Sequence, residues 1–134
     1  MADDDVRDED YTTLATFRYE LRTFLHFSEN AAAEAGLTAQ QYQALLALRG
    51  VPGGSMLVGE LADRLLLRPH SASGLVDRLM GLGLVERSRG DDDRRQVRIL
   101  LTDIGRKVLA SLAASHRAEL RRLRPLLTEL MRRL

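Results

Sequence analysis

"VGELADRLLLRPHSASGLVDRLMGLGLVERSRGDDDRRQVRILLT", Val58 to Thr102, packs two short helices and two strands into one uninterrupted run. Val58 to Leu66 spaces Leu61, Ala62 and Leu65 on one helical face, with acids and arginines between them. A brief loop through Leu67 and Arg68 follows. Pro69 then takes the first position of a second helix, where its missing N–H costs nothing. That helix is predicted to run to about Leu82, turning Ala72, Leu75, Val76 and Leu79 inward. Its opposite face carries His70, Ser71, Ser73, Gly74, Asp77 and Arg78, and Gly83 supplies the stop. Two strands are predicted next, Leu84 to about Arg87 and Gln96 to Leu101; in the second, Val97, Ile99 and Leu101 alternate with Arg98 and Leu100. The loop between them, Ser88 to Arg95, sets Asp91, Asp92 and Asp93 directly against Arg94 and Arg95.

Outward from this run the chain reads as helices. Tyr11 to Ala35 is one long helix, with Leu14, Phe17, Leu21, Leu25 and Ala32 near one face and Gly36 as its stop. Thr38-Ala-Gln-Gln41 matches a capping box ahead of Tyr42, Leu45, Leu46 and Leu48, so a short helix ends near Arg49. "GVPGGS", Gly50 to Ser55, is a turn-rich break. Thr102 caps a helix from Asp103 to about Leu123, with Ile104, Val108 and Leu112 on one side. Pro125 is expected to break it, leaving a final short helix over Leu126 to Leu134.

Three short helices followed by a hairpin are the order of a winged helix-turn-helix. The expected fold is mainly α with a small β-hairpin wing. Residues 1–10 read as an acidic disordered tail and 11–134 as a single domain. Within it, 38–101 form the winged part, while 11–36 and 103–134 are dimerisation helices. Leu123, Leu126, Leu127, Leu130, Met131 and Leu134 cluster where a monomer would fray, which points to a homodimer.

Composition narrows the function. The 134 residues suit one domain, and the hydrophobic share of 45% suits a packed core. There is no cysteine, which excludes disulfides and thiolate sites. No signal peptide and no apolar run of about 18 residues is visible, so a cytoplasmic location without membrane contact is expected. The net charge of +1 conceals an uneven split. "MADDDVRDED" holds six acids against Arg7, which leaves 13 acids and 19 bases in residues 11–134, a net of +6. No nucleophile–base set and no phosphate loop is present, so neither an enzyme nor a cofactor is expected. His26, His70 and His116 lie on separate helices without an i, i+4 partner, and a zinc site would need Glu29 or Glu119 to converge on them; no metal is expected.

A helix with small polar residues on its outer N-terminal half can enter a major groove without clashing. His70, Ser71, Ser73 and Gly74 fit that description. A basic loop between strands can reach the neighbouring minor groove, where the potential is most negative. Taken alone, the Asp/Arg block would be a solvated turn with surface pairs worth about 0–1 kcal/mol each. Behind a helix-turn-helix order it reads as a contact to double-stranded DNA. Arg78 has two readings, a phosphate contact or a structural pair with Asp77 or a neighbouring helix.

"VGELADRLLLRPHSASGLVDRLMGLGLVER" with "DDDRRQVRILLTDIGRKVL" resembles the core of the MarR family of transcriptional regulators, over about Leu57 to Leu109. The carrying pattern is LA-x-x-L, a helix with V-x-x-L ending before G-L-V-x-R, a D-x-R wing, then L-T-x-x-G. The resemblance implies a dimer with first and last helices interlocked, binding a pseudo-palindromic operator, as a repressor or other regulator. It also implies release by a small aromatic or phenolic acid bound between the dimer and DNA-binding parts. In the family an acidic wing residue braces the arginine that reaches DNA. This implies such a role for Asp93, with Arg94 or Arg95 inserting. Gly90 and Asp91 stand where many members have an Asp-Pro turn, and Asp91 and Asp92 are expected in solvent or paired with Arg87 or Arg89. Tyr19, Phe24, His26 and Tyr42 are candidates for the effector pocket, although aromatic residues on an amphipathic helix more often form core. The rival to DNA binding is a winged-helix module that binds protein.

Overall fold

The computed structural model describes residues 5–89 and 96–134. The elements run α1 (Asp8–Glu34), α2 (Ala39–Gly50), β1 (Ser55–Leu57), α3 (Val58–Leu65), α4 (Pro69–Gly81), β2 (Val85–Arg89), β3 (Val97–Leu101) and α5 (Asp103–Arg132). Helices α2, α3 and α4 and the sheet enclose one core, in which Leu45, Leu48, Leu61, Leu75, Val76, Leu79 and Ile99 are fully buried. The long helices α1 and α5 pack on each other, and α5 also lies against α2. Among the described residues no helix is long and apolar enough to cross a membrane.

The capping box at Thr38 forms as expected: its hydroxyl accepts from the Gln41 N–H at 3.0 Å, and the Gln41 side chain accepts from the Thr38 N–H at 3.0 Å. All four inward positions expected on α4 are buried. Gly83 takes φ +75°, the left-handed conformation that closes the helix. The turn between α3 and α4 instead places Leu66 at φ 57°, with 92% of the residue exposed.

Two expectations need correction, at the start of α1 and at Pro125, and the wing gains a strand. The expected hairpin of β2 and β3 forms, and β1 extends it into a three-stranded antiparallel sheet of order β1-β3-β2. β1 is only three residues long, and of these Met56 alone is buried, opposite Ile99. Helix α1 begins at Asp8, so Asp8, Glu9 and Asp10 are helical and not part of a disordered tail. Three acids in the first turn complement the helix dipole, and the Asp10 carboxylate accepts from the Arg7 N–H at 3.0 Å.

Pro125 does not break α5, which runs unbroken from Asp103 to Arg132. The proline removes one donor, and Arg121, whose carbonyl loses it, is exposed and can be solvated. Leu123 and Leu130, both buried, anchor the helix on either side. The apolar face that the spacing picks out on α1, a helix expected to dimerise, is largely outward in the single chain. Leu14, Leu21 and Leu25 are 42–46% exposed, and it is Thr13, Ser28 and Ala32 that are buried. On α5, Ile104 is likewise exposed, while Gly105, Leu109, Leu112 and His116 form the buried stripe.

Candidate nucleic-acid interface

Helix α4 presents the residues the sequence singles out. His70, Ser71, Ser73 and Arg78 are exposed and Gly74 is half-buried, all on the face opposite the core. No side chain caps the helix start, and Pro69 is its first residue. The first-turn N–H groups and the positive end of the dipole therefore remain available to a phosphate. Arg78 reaches back one turn toward that end. A Cβ at Gly74 would lie 3.5 Å from its guanidinium, so the absent side chain lets the arginine lie along the helix surface. A depression of about 380 Å³ joins Gln40, His70, Ser71, Gly74 and Arg78.

The structure decides against one reading of Arg78, the pair with Asp77. The Asp77 carboxylate accepts from Arg87 of β2 at 2.7 Å, which ties the outer face of α4 to the wing. Arg89 is exposed at the end of β2. Arg98 of β3 turns the other way, donating to the Ser55 Oγ at 2.8 Å and its carbonyl at 3.2 Å. Asp93, Arg94 and Arg95, with Gly90, Asp91 and Asp92, lie outside the described residues.

The effector candidates divide. Tyr42 is buried and stacks on His116 with ring centroids 4.2 Å apart. Phe24 meets the same imidazole edge-on at 6.0 Å. Tyr19 and His26 are exposed on α1 and belong neither to this ring group nor to the cleft beside it. Sequence reasoning misses Phe27, 5.4 Å from the imidazole, and the central role of His116 itself. Its position four residues after Leu112 and seven before Leu123 is the signal that places it on the buried stripe of α5.

His116 is 5% exposed. Its Nδ1 lies 2.7 Å from the Leu112 carbonyl, which can only accept, so Nδ1 carries the proton. Nε2 then accepts from the Ser28 hydroxyl at 2.8 Å, linking α5 to α1. Among the described residues no group of three His, Asp or Glu is placed to hold a metal.

Beside this ring group a cleft of about 600 Å³ opens between α2 and α5. Tyr42, His116, Leu46 and Leu120 form its apolar part, and Arg117, Arg121 and Arg124 stand along one wall. Among the described residues none of these three arginines enters an ion pair. Arg122, by contrast, is held by Glu119 at 2.6 Å and keeps that carboxyl below its ordinary pKa. Burial raises the Tyr42 phenol above its ordinary value, which keeps it a neutral donor.

Residues 35–96 match the model of the MarR family. MdtR of Bacillus subtilis, described as an HTH-type transcriptional repressor, is 32% identical over 94 residues, covering 70% of this chain and 59% of its own. The transcriptional activatory protein BadR of Rhodopseudomonas palustris is 36% identical over 97 residues, covering 71% of this chain and 55% of its own. The crystal structure of AbsC, a MarR family transcriptional regulator from Streptomyces coelicolor, superposes with a TM-score of 0.74 at 26% identity, covering 87% of this chain and 79% of that one. The chain belongs to the MarR family. It spans just over half the length of the two curated relatives. Its α3–α4 pair and three-stranded wing are the winged helix-turn-helix of that family, one of transcriptional regulators and not of enzymes. In this MarR-family chain the motif L-T-x-x-G, Leu101 to Gly105, falls where the wing meets α5.

Proposed function

We propose that the chain is a DNA-binding transcriptional regulator that acts as a homodimer on a pseudo-palindromic operator. The observation that carries this is the outer face of α4, small and polar at His70, Ser71, Ser73 and Gly74, with Arg78 laid along it and an uncapped N-terminus. Such a surface fits a major groove and offers donors to base edges and phosphates. The two curated relatives carry opposite signs, one a repressor and one an activator. The sign therefore follows from where the operator lies, and repression is our reading for a site that overlaps a promoter. The exposed leucines of α1 supply the dimer contact. The wing bases Arg94 and Arg95 act on phosphate and groove potential, braced by Asp93.

The cleft between α2 and α5 is our candidate effector site. Apolar walls with a stacked ring pair suit an aromatic ring, and three unpaired arginines suit a carboxylate. Occupation would separate α5 from α2 and so tilt the winged part on the dimer.

A salt titration of operator and random duplex tests both ideas. Arg94→Ala and Arg95→Ala are expected to weaken binding to both duplexes and to flatten the plot of log affinity against log salt by about one unit each. Benzoate is expected to weaken operator binding by the parent but not by Arg121→Ala. Arginine variants that keep the parent's affinity and slope would favour the protein-binding rival.

A further inference from the structure

The end of α4 and the start of α5 meet in a hydrogen-bonded joint, bridged by one hydroxyl and closed by a glycine that lets the two backbones touch. The Thr102 hydroxyl donates to the Gly83 carbonyl at 2.6 Å and accepts from the Gly105 N–H at 3.0 Å. The Thr102 N–H donates to the Leu84 carbonyl at 3.0 Å. Gly83 and Leu84 in turn close α4, their N–H groups donating to Met80 and Leu79 at 2.9 and 3.0 Å. Gly105 is buried against the Leu84 peptide, and a Cβ there would overlap the carbonyl oxygen and stand 3.0 Å from the carbonyl carbon. Two successive carbonyls at the end of α4 are thereby gripped by the first turn of α5.

We infer that Thr102 and Gly105 are positioning residues: through this joint they fix the angle of α4 on α5 and so set the half-site spacing that the dimer accepts. The inference rests on the proposed reading as an operator-binding dimer. The winged part meets α5 at the joint, at the Tyr42–His116 stack and, between them, through Leu109 and Leu112 in the shared core. One attachment would be a pivot, whereas several spaced along α5 define an angle, and the joint is the one that grips the end of α4 itself. The lever is long, because His70, Ser71 and Ser73 lie at the opposite end of α4 from the joint. Thirteen residues at 1.5 Å per residue make α4 about 20 Å long. Slack of about 10° would carry the reading end about 3.5 Å, close to the roughly 3.4 Å rise of one base step. A glycine at 105 brings α5 into backbone contact, and the threonine hydroxyl bridges both helices; a serine would keep the bridge and a valine would not.

The test uses an operator selected with the parent protein, redrawn with its half-sites one base pair closer and one farther. The parent is expected to prefer the selected spacing by at least about tenfold. Thr102→Val and Gly105→Ala should reduce that preference to below about threefold while keeping affinity for a single half-site. Thr102→Ser should retain it. A second readout needs no DNA. Since the chain has no cysteine, Ser73→Cys accepts one spin label per protomer, and the label-to-label distance in the dimer should be narrow. Thr102→Val should broaden it and Thr102→Ser should not. If Gly105→Ala fails to fold, the near-isosteric Thr102→Val still decides. A parent that binds no duplex would overturn the proposed function, and the label distances would still judge the joint. Unchanged spacing preference and unchanged distances in Thr102→Val would overturn the joint's role, as would a parallel loss on half-site and full operator that serine does not rescue.

Discussion

Ser73→Trp is expected to lower operator affinity by about 100-fold or more while leaving random-duplex binding within about threefold. Ser73 is exposed in the N-terminal half of α4, between Ser71 and Gly74 on the face we assign to the groove. A major groove about 12 Å wide admits a helix but little more, so an indole there holds the whole helix away from the base edges. Giving up two bidentate hydrogen-bond pairs to bases, at about 1–3 kcal/mol each, reaches that factor, since about 1.4 kcal/mol is tenfold. Phosphate contacts from the wing and from the start of α4 tolerate the retreat better, because they act through charge. Fluorescence anisotropy with both duplexes reads the result, with Ser73→Ala as the mild comparison. An equal fall on both duplexes would mean that α4 is not the reading element.

His116→Ala is expected to destabilise the fold by about 3 kcal/mol, lowering the melting temperature by about 10 °C. The substitution removes a ring stacked on Tyr42 and touched edge-on by Phe24 and Phe27. It also removes the acceptor of the Ser28 hydroxyl. Aromatic pairs contribute about 0.5–1.5 kcal/mol beyond area, and a stranded buried donor costs about 1–3 kcal/mol. His116→Phe keeps the ring packing and gives up only the hydrogen bonds, so it should recover more than half of the loss. Thermal unfolding followed by circular dichroism separates the three proteins. Equal melting of the alanine variant and the parent would show that the ring group is not a structural centre.

Legibility of this chain in its sequence tracks how local each determinant is. Helix α4 is readable to within a residue because Pro69, the inward Ala72, Leu75, Val76 and Leu79, and Gly83 all agree. β1 is hidden because three residues carry no periodicity, and its pairing to β3 is a tertiary fact. Pro125 misleads because its rule concerns one hydrogen bond, and packing at Leu123 and Leu130 outweighs that. On α1 the spacing finds the apolar positions and not their partner, since it cannot tell a neighbour in the same chain from one in a second copy. The outer face of α4 is legible, but the Asp77–Arg87 tie and the placing of Arg78 over Gly74 depend on side-chain geometry across elements. Tyr42 and Phe24 stand out in the sequence without the histidine that brings them together.

The exposed leucines of α1 carry a consequence for the protein's life at low copy number. A helix with apolar residues on two sides satisfies only one of them within its own chain. In the homodimer we propose, folding and association become a single equilibrium governed by mass action, and dilution itself acts as a denaturant. A cell holding few copies would keep a larger share of them unfolded and open to proteases than a cell holding many. Calorimetry over a hundredfold range of concentration should show the melting temperature climbing with protein; one that stays constant would mean that each chain is stable unaided.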